Sequence, residues 1–231
     1  PLHPKGAPTD MEEPMATATE QQILTLTQWV SPAFPVGSYA YSHGLEWMVE
    51  SGQVSDSASL SGWLSDILEV GSGRADILFL AAAYRVMTPD ELLEVDALCR
   101  AFAGSAERLK ETELQGQAFS RAIADIWDPG MPTLAYPVAV GWAARQADLP
   151  LDLTARMFLH AVMSNLVSAA MRLVPLGQTD GQGVIHTFTP ICSEIAAASV
   201  ASDLSTLSSS AILADIAAMK HETQYSRIFR T

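Results

Sequence analysis

Residues 31–46 read SPAFPVGSYAYSHGLE, and the rest of the chain is organised around this stretch, here called the elbow. Pro32 and Pro35 lack an amide donor and push the residue before each into an extended conformation, so no helix can continue through them. Gly37 can take the positive φ that a sharp exit requires, and Ser38 is a good N-cap. The elbow therefore predicts a rigid turn that leads directly into a helix starting at Ser38.

The side chains of the elbow have two interpretations. One is a packing corner between helices that holds Phe34 and Tyr39 in a core, which is what most such turns do. The other is the edge of a binding site that His43 could face. A lone histidine is weak support for a site, so the residues alone favour the packing corner.

Start and stop signals divide the chain into about nine or ten helices. Asp56 begins the cleanest amphipathic helix, and Thr88–Glu91 has the sequence of a capping box with proline at the first helical position. The longest apolar run lies between Pro150 and Pro175 and predicts a helix buried at the centre of a bundle. Runs with a period of two are almost absent, so strands have little support. We therefore expect an all-α, single-domain bundle.

Two further helices are expected near the C-terminus. Thr189 and Pro190 are placed to open a helix that runs to Ala201. The last helix is expected over Leu204–Lys220. Its apolar side is formed by Ile212, Leu213, Ile216 and Met219.

The composition favours a soluble protein that binds other proteins. The chain has 231 residues, 48% of them hydrophobic, which suffices for the core of one domain or at most two. Its 13 basic and 26 acidic residues give a formal charge of −13. Nucleic acids and anionic membranes require clustered Lys and Arg, so neither is expected as the main partner. No apolar stretch reaches the roughly 18–20 residues of a membrane span.

Catalytic and metal-binding patterns are missing from the sequence. Cys99 and Cys192 are isolated, and we expect them to be reduced, buried side chains of a cytoplasmic protein. The five histidines form no HxH or HxxxH pair, so a metal site has no support. No P-loop, nucleophile elbow or dinucleotide fingerprint occurs. Neither an enzyme nor a cofactor is expected.

The two ends of the chain differ from the predicted bundle. Residues 1–16 contain four prolines, a glycine and mixed charge, typical of a disordered extension or an expression remnant. Residues 222–231, the terminal segment, are basic and aromatic in an otherwise acidic protein. This segment either packs back on its own bundle or docks into a partner and orders there. The helical domain is accordingly expected over residues 17–221.

Three stretches together resemble the signature of the UreF family of urease accessory proteins. They are the elbow, the Arg172 segment (Arg172–Asp180, RLVPLGQTD) and the end of the chain from His221 (HETQYSRIFRT). Their order and spacing fit the family across residues 21–231. Residues 181–183, Gly-Gln-Gly, are looser than this resemblance leads us to expect, so a helix there should be short or absent.

The resemblance implies an all-α homodimer that has no chemistry of its own. UreF-like proteins bind a second accessory protein, UreD (also called UreH), and together they recruit the GTPase UreG to apo-urease for nickel insertion. The matching terminal motif implies that the UreD/UreH-like partner receives Tyr225, Arg227, Ile228, Phe229 and Arg230. Candidate dimer or GTPase contacts in the elbow are Pro35, Gly37, Tyr41 and His43. Those in the Arg172 segment are Arg172, Pro175, Gly177 and Gln178.

An alternative function is regulation of the UreG-like GTPase. Arg172 or Arg227 would then act as a finger that stabilises charge on the transferring phosphoryl group, an effect worth on the order of 10³ or more in rate. The GTP turnover of the partner, with and without this protein, distinguishes such a regulator from a scaffold.

Overall fold

The computed structural model describes residues 18–230, in which ten α-helices and two short 3-10 turns occur and no β-strand does. The helices are α1 (Glu20–Trp29), α2 (Leu45–Glu50), α3 (Ser57–Val70), α4 (Ser72–Arg85), α5 (Pro89–Ala101), α6 (Ala106–Ile126), α7 (Tyr136–Gln146), α8 (Leu151–Leu173), α9 (Gln178–Val200) and α10 (Ile212–His221). The predicted all-α bundle is thereby confirmed. The predicted N-terminal extension, residues 1–16, lies outside the described range.

The long helix α8 packs along α9 and buries residues on most of its circumference, as its apolar sequence predicts. An aromatic cluster around Phe119 of α6 joins other parts of the core. The ring centroid of Phe119 lies 5.6 Å from that of Trp29, 5.8 Å from that of Tyr136 and 5.5 Å from that of Phe34. Edge-to-face and tilted pairs at these distances are favourable, so Phe34 anchors the elbow in the core.

Predicted helix starts are confirmed where a side chain can cap. Asp56 accepts from the N–H of Ser59 at 2.8 Å, and Thr88 forms the expected capping box with Glu91. Two backbone N–H groups donate to the Glu91 carboxylate and lower its pKa. These starts depend on local hydrogen bonds, which is why they can be read from sequence.

The elbow differs from its predicted form after Gly37. Gly37 has the expected positive φ of 71°, but Ser38 opens only a 3-10 turn, Ser38–Ala40. His43 and Gly44 then take left-handed conformations with φ of 56° and 80°, and these delay the start of α2 to Leu45. A Cβ on Gly44 would lie 2.6 Å from the backbone nitrogen of Ala218, so close packing against α10 interrupts the helix.

Tyr39 was predicted to lie in the core and does not, because its side chain is 64% exposed. Phe34 is buried as predicted. Tyr39 lies in the 3-10 turn that replaces the expected helix, whereas Phe34 precedes this turn and packs on Phe119. Phe34 and the neighbouring buried Val36 therefore hold the packing corner, and Tyr39 does not.

The predicted break around residues 181–183 and the predicted helix start at Pro190 are both wrong. Helix α9 runs without interruption from Gln178 to Val200. Gly181 fits because α9 approaches Met171 so closely that a Cβ would overlap its sulfur. Pro190 lies on the exposed side of the helix, and packing of α9 on α8 outweighs the hydrogen bond that proline removes.

The last helix is shorter than predicted. Residues 204–206 form a 3-10 turn capped by Asp203, and α10 begins only at Ile212. In the loop between them, the N–H of Ser210 donates to the carbonyl of Val70 at 2.9 Å. This hydrogen bond holds the loop against the end of α3. These hydrogen bonds replace those of the expected helix.

Two properties of the bundle concern its environment. No helix between residues 18 and 230 is both long and apolar enough to cross a membrane. Cys99 and Cys192 are buried free thiols, and burial raises the pKa of Cys192 to about 12. Both cysteines therefore behave as small apolar side chains.

Candidate functional site

The elbow, the Arg172 segment and the terminal segment meet on one side of the bundle. The guanidinium of Arg172 donates to the carbonyl of Tyr39 at 2.7 Å and lies over the ring of Phe229, 4.3 Å from its centroid. The N–H of Arg230 donates to the carbonyl of Ala40 at 2.8 Å. The three stretches that resemble one family signature thus form one structural unit.

Two buried carboxylates hold the terminal segment on the bundle. Glu46 of α2 accepts from the N–H of Ile228 at 2.7 Å and from that of Phe229 at 2.9 Å. Glu107 of α6 accepts from the Arg227 guanidinium at 2.9 Å. Both carboxylates are shielded from solvent. Water therefore competes little for these charge-assisted hydrogen bonds.

His221, at the end of α10, lies between these two carboxylates. Its Nδ1 is 2.7 Å from Oε2 of Glu107, and its Nε2 is 3.3 Å from Oε2 of Glu46. The side chain is 0% exposed. We call Glu46, Glu107 and His221 the clamp, because together they connect α2, α6 and α10 below the terminal segment.

A second buried network lies beside the clamp and holds the elbow. Nε2 of His43 is 2.8 Å from Oε1 of Glu111 and 3.0 Å from Nη1 of Arg108. Arg108 also pairs with the other oxygen of Glu111 at 2.7 Å and lies 3.6 Å from Asp76. We call His43, Asp76, Arg108 and Glu111 the inner network. It fixes His43 in its strained left-handed conformation.

The carboxylates of the inner network respond differently to burial. For Glu111, burial opposes ionisation, but Arg108 and His43 outweigh it and lower the pKa to about 2. For Asp76, burial dominates and raises the pKa to about 6, and the more distant Arg108 offsets this only in part. Arg108 itself stays charged because Glu111 and Asp76 compensate for its burial and raise its pKa. The charge of Arg108 is therefore compensated within the inner network by Glu111 and Asp76.

Within the terminal segment, the residues predicted to bind a partner divide into two groups. Phe229 is 4% exposed and faces the bundle, whereas Ile228 is 72% exposed and Tyr225 is fully exposed. Arg227 and Arg230 are exposed. The guanidinium of Arg227 donates to Glu107, and the backbone N–H of Arg230 donates to the carbonyl of Ala40. Of the two interpretations of this segment, packing on its own bundle is the one seen in the free chain, and it leaves Tyr225 and Ile228 available.

The candidate contacts in the elbow and the Arg172 segment also divide by exposure. Tyr41 and His43 are buried in this chain, Gly37 is half-buried, and Pro35 is exposed. Burial raises the pKa of Tyr41, and a hydrogen bond from Arg230 opposes that increase. All four candidates in the Arg172 segment are exposed: Arg172, Pro175, Gly177 and Gln178.

Helix α10 carries the residues that were predicted to form the apolar side of the last helix. Its buried residues are Ala217, Ala218 and His221. Its four large apolar residues are instead exposed by 40–66%: Ile212, Leu213, Ile216 and Met219. The predicted apolar side of this helix therefore faces solvent, next in the chain to Tyr225 and Ile228.

A groove of about 740 Å³ is lined by residues of the elbow and of α8. Its lining includes Trp29, Tyr39 and His43, together with Met157 and Ala161 of α8. Trp29 Nε1 and His43 Nδ1 are buried and have no hydrogen-bond partner among the described residues. The groove is thus a mainly apolar concave surface whose lining residues include two with an unpartnered ring N atom.

Metal ligation finds no support in the part of the chain that the structure describes. Residues 18–230 contain no group of three or more His, Cys, Asp or Glu side chains that could hold a metal ion. The buried histidines His43 and His221 are instead engaged with carboxylates. The side chains of the site thus contact one another through hydrogen bonds, ion pairs and a cation–π contact.

Comparison with known proteins gives one consistent result. A family model described as UreF matches residues 54–189. The urease accessory protein UreF of Ruegeria pomeroyi is 54% identical over 94% of this chain and 100% of its own length. Proteins of the same name from Roseobacter denitrificans and a Bradyrhizobium species are 51% and 42% identical, over 90% and 99% of this chain and 94% and 97% of their own.

Proposed function

Because this chain belongs to the UreF family of urease accessory proteins, we propose that it is a non-enzymatic scaffold for urease maturation. With a UreD/UreH-like protein, it recruits a UreG-like GTPase to apo-urease, where nickel is inserted as cargo. The observation that carries this proposal is the joining of the elbow, the Arg172 segment and the terminal segment into one surface unit. The scaffold acts in the cytoplasm, a compartment that its two free buried cysteines suit.

The UreD/UreH-like partner docks on the exposed face of α10 and the outer side chains of the terminal segment. Support comes from the exposed apolar side chains of two neighbouring stretches of the chain, Ile216 and Met219 in α10 and Tyr225 and Ile228 in the terminal segment. Contiguous exposed apolar surface is uncommon on proteins that act alone. Since the clamp holds the terminal segment in place, this surface is already ordered before the partner arrives.

A second copy of the chain and the GTPase use the groove side of the molecule. Support comes from the exposed side chains at its edge, Tyr39 and Arg172, and from the neighbouring exposed residues Pro175 and Gln178. A concave, mainly apolar groove accepts a protruding element of another protein. The buried residues Tyr41 and His43 act indirectly, by fixing the shape of the elbow.

The same arrangement favours a scaffold over an arginine finger. Arg172 already donates to Tyr39 and stacks on Phe229, and Arg227 is paired with the buried carboxylate of Glu107. Either side chain would have to give up these contacts to reach a phosphoryl group. An increase in GTP turnover that disappears in Arg172→Ala or Arg227→Ala, with binding retained, would instead support regulation of the GTPase.

Size-exclusion chromatography with light scattering tests the scaffold. The chain is measured alone, with a UreD/UreH-like protein, and with that protein and a UreG-like GTPase. We expect a dimer alone and one larger species that contains all partners. A monomer that binds neither partner would contradict the proposal.

A further inference from the structure

The α9–α10 loop, residues 201–211, carries an exposed threonine that an arginine contacts. Nη1 of Arg74 donates to the carbonyl of Thr206 at 3.1 Å, and Nη2 of the same guanidinium donates to the Thr206 hydroxyl at 3.3 Å. Arg74 lies in the first turn of α4, so the contact joins two elements that are far apart in sequence. The hydroxyl of Thr206 is thus held beside a guanidinium.

The charge of Arg74 has no counter-ion in the part of the chain that the structure describes. Its guanidinium forms hydrogen bonds there with the two oxygen atoms of Thr206, and neither oxygen is charged. A guanidinium presents its N–H groups in a flat fork that fits two oxygens of one phosphate or carboxylate. This capacity for binding an anion is unused in the unmodified chain.

A second hydroxyl that an arginine contacts, that of Ser193 in α9, provides a comparison. Ser193 accepts from the guanidinium of Arg156, but Arg156 is already paired with Asp152 at 2.8 Å. Ser193 is also half-buried, whereas Thr206 is exposed. Thr206 therefore combines access from solvent with an arginine that has no carboxylate partner among the described residues, and Ser193 has neither property.

We propose that Thr206 is a phosphorylation site, modified by a serine/threonine protein kinase with ATP as the phosphoryl donor. The hydroxyl oxygen of Thr206 forms a bond to the terminal phosphorus of ATP, and the bond from that phosphorus to the bridging oxygen breaks. ADP leaves with the electron pair of the broken bond, and the hydroxyl proton passes to a base of the kinase. The product carries about −1.5 to −2 charges and three terminal oxygens beside Arg74.

Phosphate on Thr206 fixes the α9–α10 loop on α4. In the unmodified chain the loop is held by the Arg74 contacts and by the hydrogen bond from the N–H of Ser210 to the carbonyl of Val70. Charge-assisted hydrogen bonds to phosphate are roughly twice as strong as the neutral ones they add to. Because the loop leads directly into α10, the phosphate also restrains the start of that helix.

The loop has one acidic side chain, Asp203, which is engaged locally. Its carboxylate accepts from the N–H of Ser205 at 2.8 Å and caps the 3-10 turn. A second guanidinium of α4, that of Arg85, donates to the carbonyl of Ser202 at 3.1 Å. The loop thus faces two arginines, which favours an added negative group. The inference concerns the chain by itself and does not depend on the proposed partners.

Hydrogen–deuterium exchange of the full chain, with phosphothreonine installed at position 206 by genetic code expansion, tests the contact. We expect the amides of the α9–α10 loop to exchange at least about tenfold more slowly than in the unmodified chain, since the added ion pair must break before the loop opens. Arg74→Gln, which retains a donor but no charge, should abolish this slowing. Arg121→Gln, at a side chain that is 85% exposed, is the matched control and should retain it.

The second pKa of the phosphate, followed by ³¹P NMR, is a readout that a merely stiffer loop would not change. The charge of Arg74 should hold this pKa below that of the same phosphothreonine in an unstructured peptide of residues 201–211. Arg74→Gln should raise it towards the value in the peptide. Equal exchange rates and equal phosphate pKa values with and without Arg74 would overturn the role of this arginine.

Use of the site by a kinase is tested on the protein isolated from the cells that produce it. Mass spectrometry of the peptide containing Thr206 should show a phosphorylated fraction that phosphatase treatment removes. Detection of this peptide in the unmodified form alone would overturn the assignment of Thr206 as a phosphorylation site. Since no partner is present in these measurements, neither outcome bears on the proposed scaffold function.

Discussion

The guanidinium of Arg172 lies over the ring of Phe229, with its central carbon 4.3 Å from the ring centroid. The same guanidinium donates to the carbonyl of Tyr39 at 2.7 Å. One side chain at the end of α8 thus contacts both the elbow and the terminal segment. The three parts of the proposed partner-binding surface are therefore coupled through Arg172, and a change in one part alters the others.

Replacement of Arg172 by glutamine should loosen the terminal segment. The variant loses a cation–π contact and weakens a charged hydrogen bond, which together contribute about 1–2 kcal/mol at a partly exposed site. We expect faster tryptic cleavage after Arg227 and a small decrease in the free energy of unfolding, measured in urea. Arg121→Gln, at a side chain that is 85% exposed, is the control and should leave both unchanged. Equal behaviour of the two variants would contradict the coupling.

Gly44→Ala should destabilise the protein far more than Gly52→Ala. Both glycines have positive φ, 80° and 73°, so alanine is strained at either position by about 1–2 kcal/mol. A Cβ at Gly44 would also lie 2.6 Å from the backbone nitrogen of Ala218, whereas nothing lies within 4 Å at Gly52. We expect Gly44→Ala to lose more than about 3 kcal/mol in urea unfolding. Similar losses in the two variants would show that α10 does not pack tightly on the elbow.

Asp76→Asn should change how stability depends on pH. Burial raises the pKa of Asp76 to about 6, from 3.8 in an unfolded chain. The folded state therefore holds this proton more tightly, a contribution that is complete below pH 3.8 and is lost as the pH rises through 6. Asparagine does not titrate, so the variant should gain on the order of 2 kcal/mol relative to the wild type between pH 4 and pH 7. A constant difference between their unfolding free energies would contradict this.

Glu111→Gln should show the opposite dependence. The folded pKa of Glu111 is lowered to about 2 from 4.5, so its contribution is present above pH 4.5 and is lost as the pH falls towards 2. At pH 7 the variant leaves His43 without its carboxylate and Arg108 with only the more distant Asp76, which we expect to reduce stability by about 3–5 kcal/mol. The deficit should shrink in acid. Thermal unfolding at pH 7 and pH 3 measures it, and a deficit that grows in acid would reject the assigned ion pair.

Local signals predicted much of this fold. The caps at Asp56 and Thr88 and the buried run between Pro150 and Pro175 occur as expected, because each depends on neighbours in sequence. The predictions that were wrong concern positions where tertiary contacts outweigh the local signals. Helix α9 continues through Pro190 because α8 supports it, and the helix expected at Ser38 is interrupted at Gly44 because α10 lies against it.

The candidate site was only partly predictable for the same reason. The sequence singled out Arg172 and Phe229 separately, but nothing local indicated their contact. Glu46 and Glu107 look like ordinary surface carboxylates of helices, and their burial follows from the approach of His221 and the terminal segment. The sequence indicated the apolar side of α10, but periodicity alone does not tell whether that side is buried or exposed.

Affinity for the UreD/UreH-like partner, measured by isothermal titration calorimetry, tests the scaffold proposal most directly. The double variant Tyr225→Ala, Ile228→Ala removes two exposed side chains of the docking surface, and Leu24→Ala, at an exposed leucine of α1, is the matched control. We predict that the double variant binds at least about a hundredfold more weakly, as loss of two apolar anchors implies, with an unchanged melting temperature. The control should bind like the wild type. Equal affinities for wild type and double variant would contradict the docking surface on which the account depends.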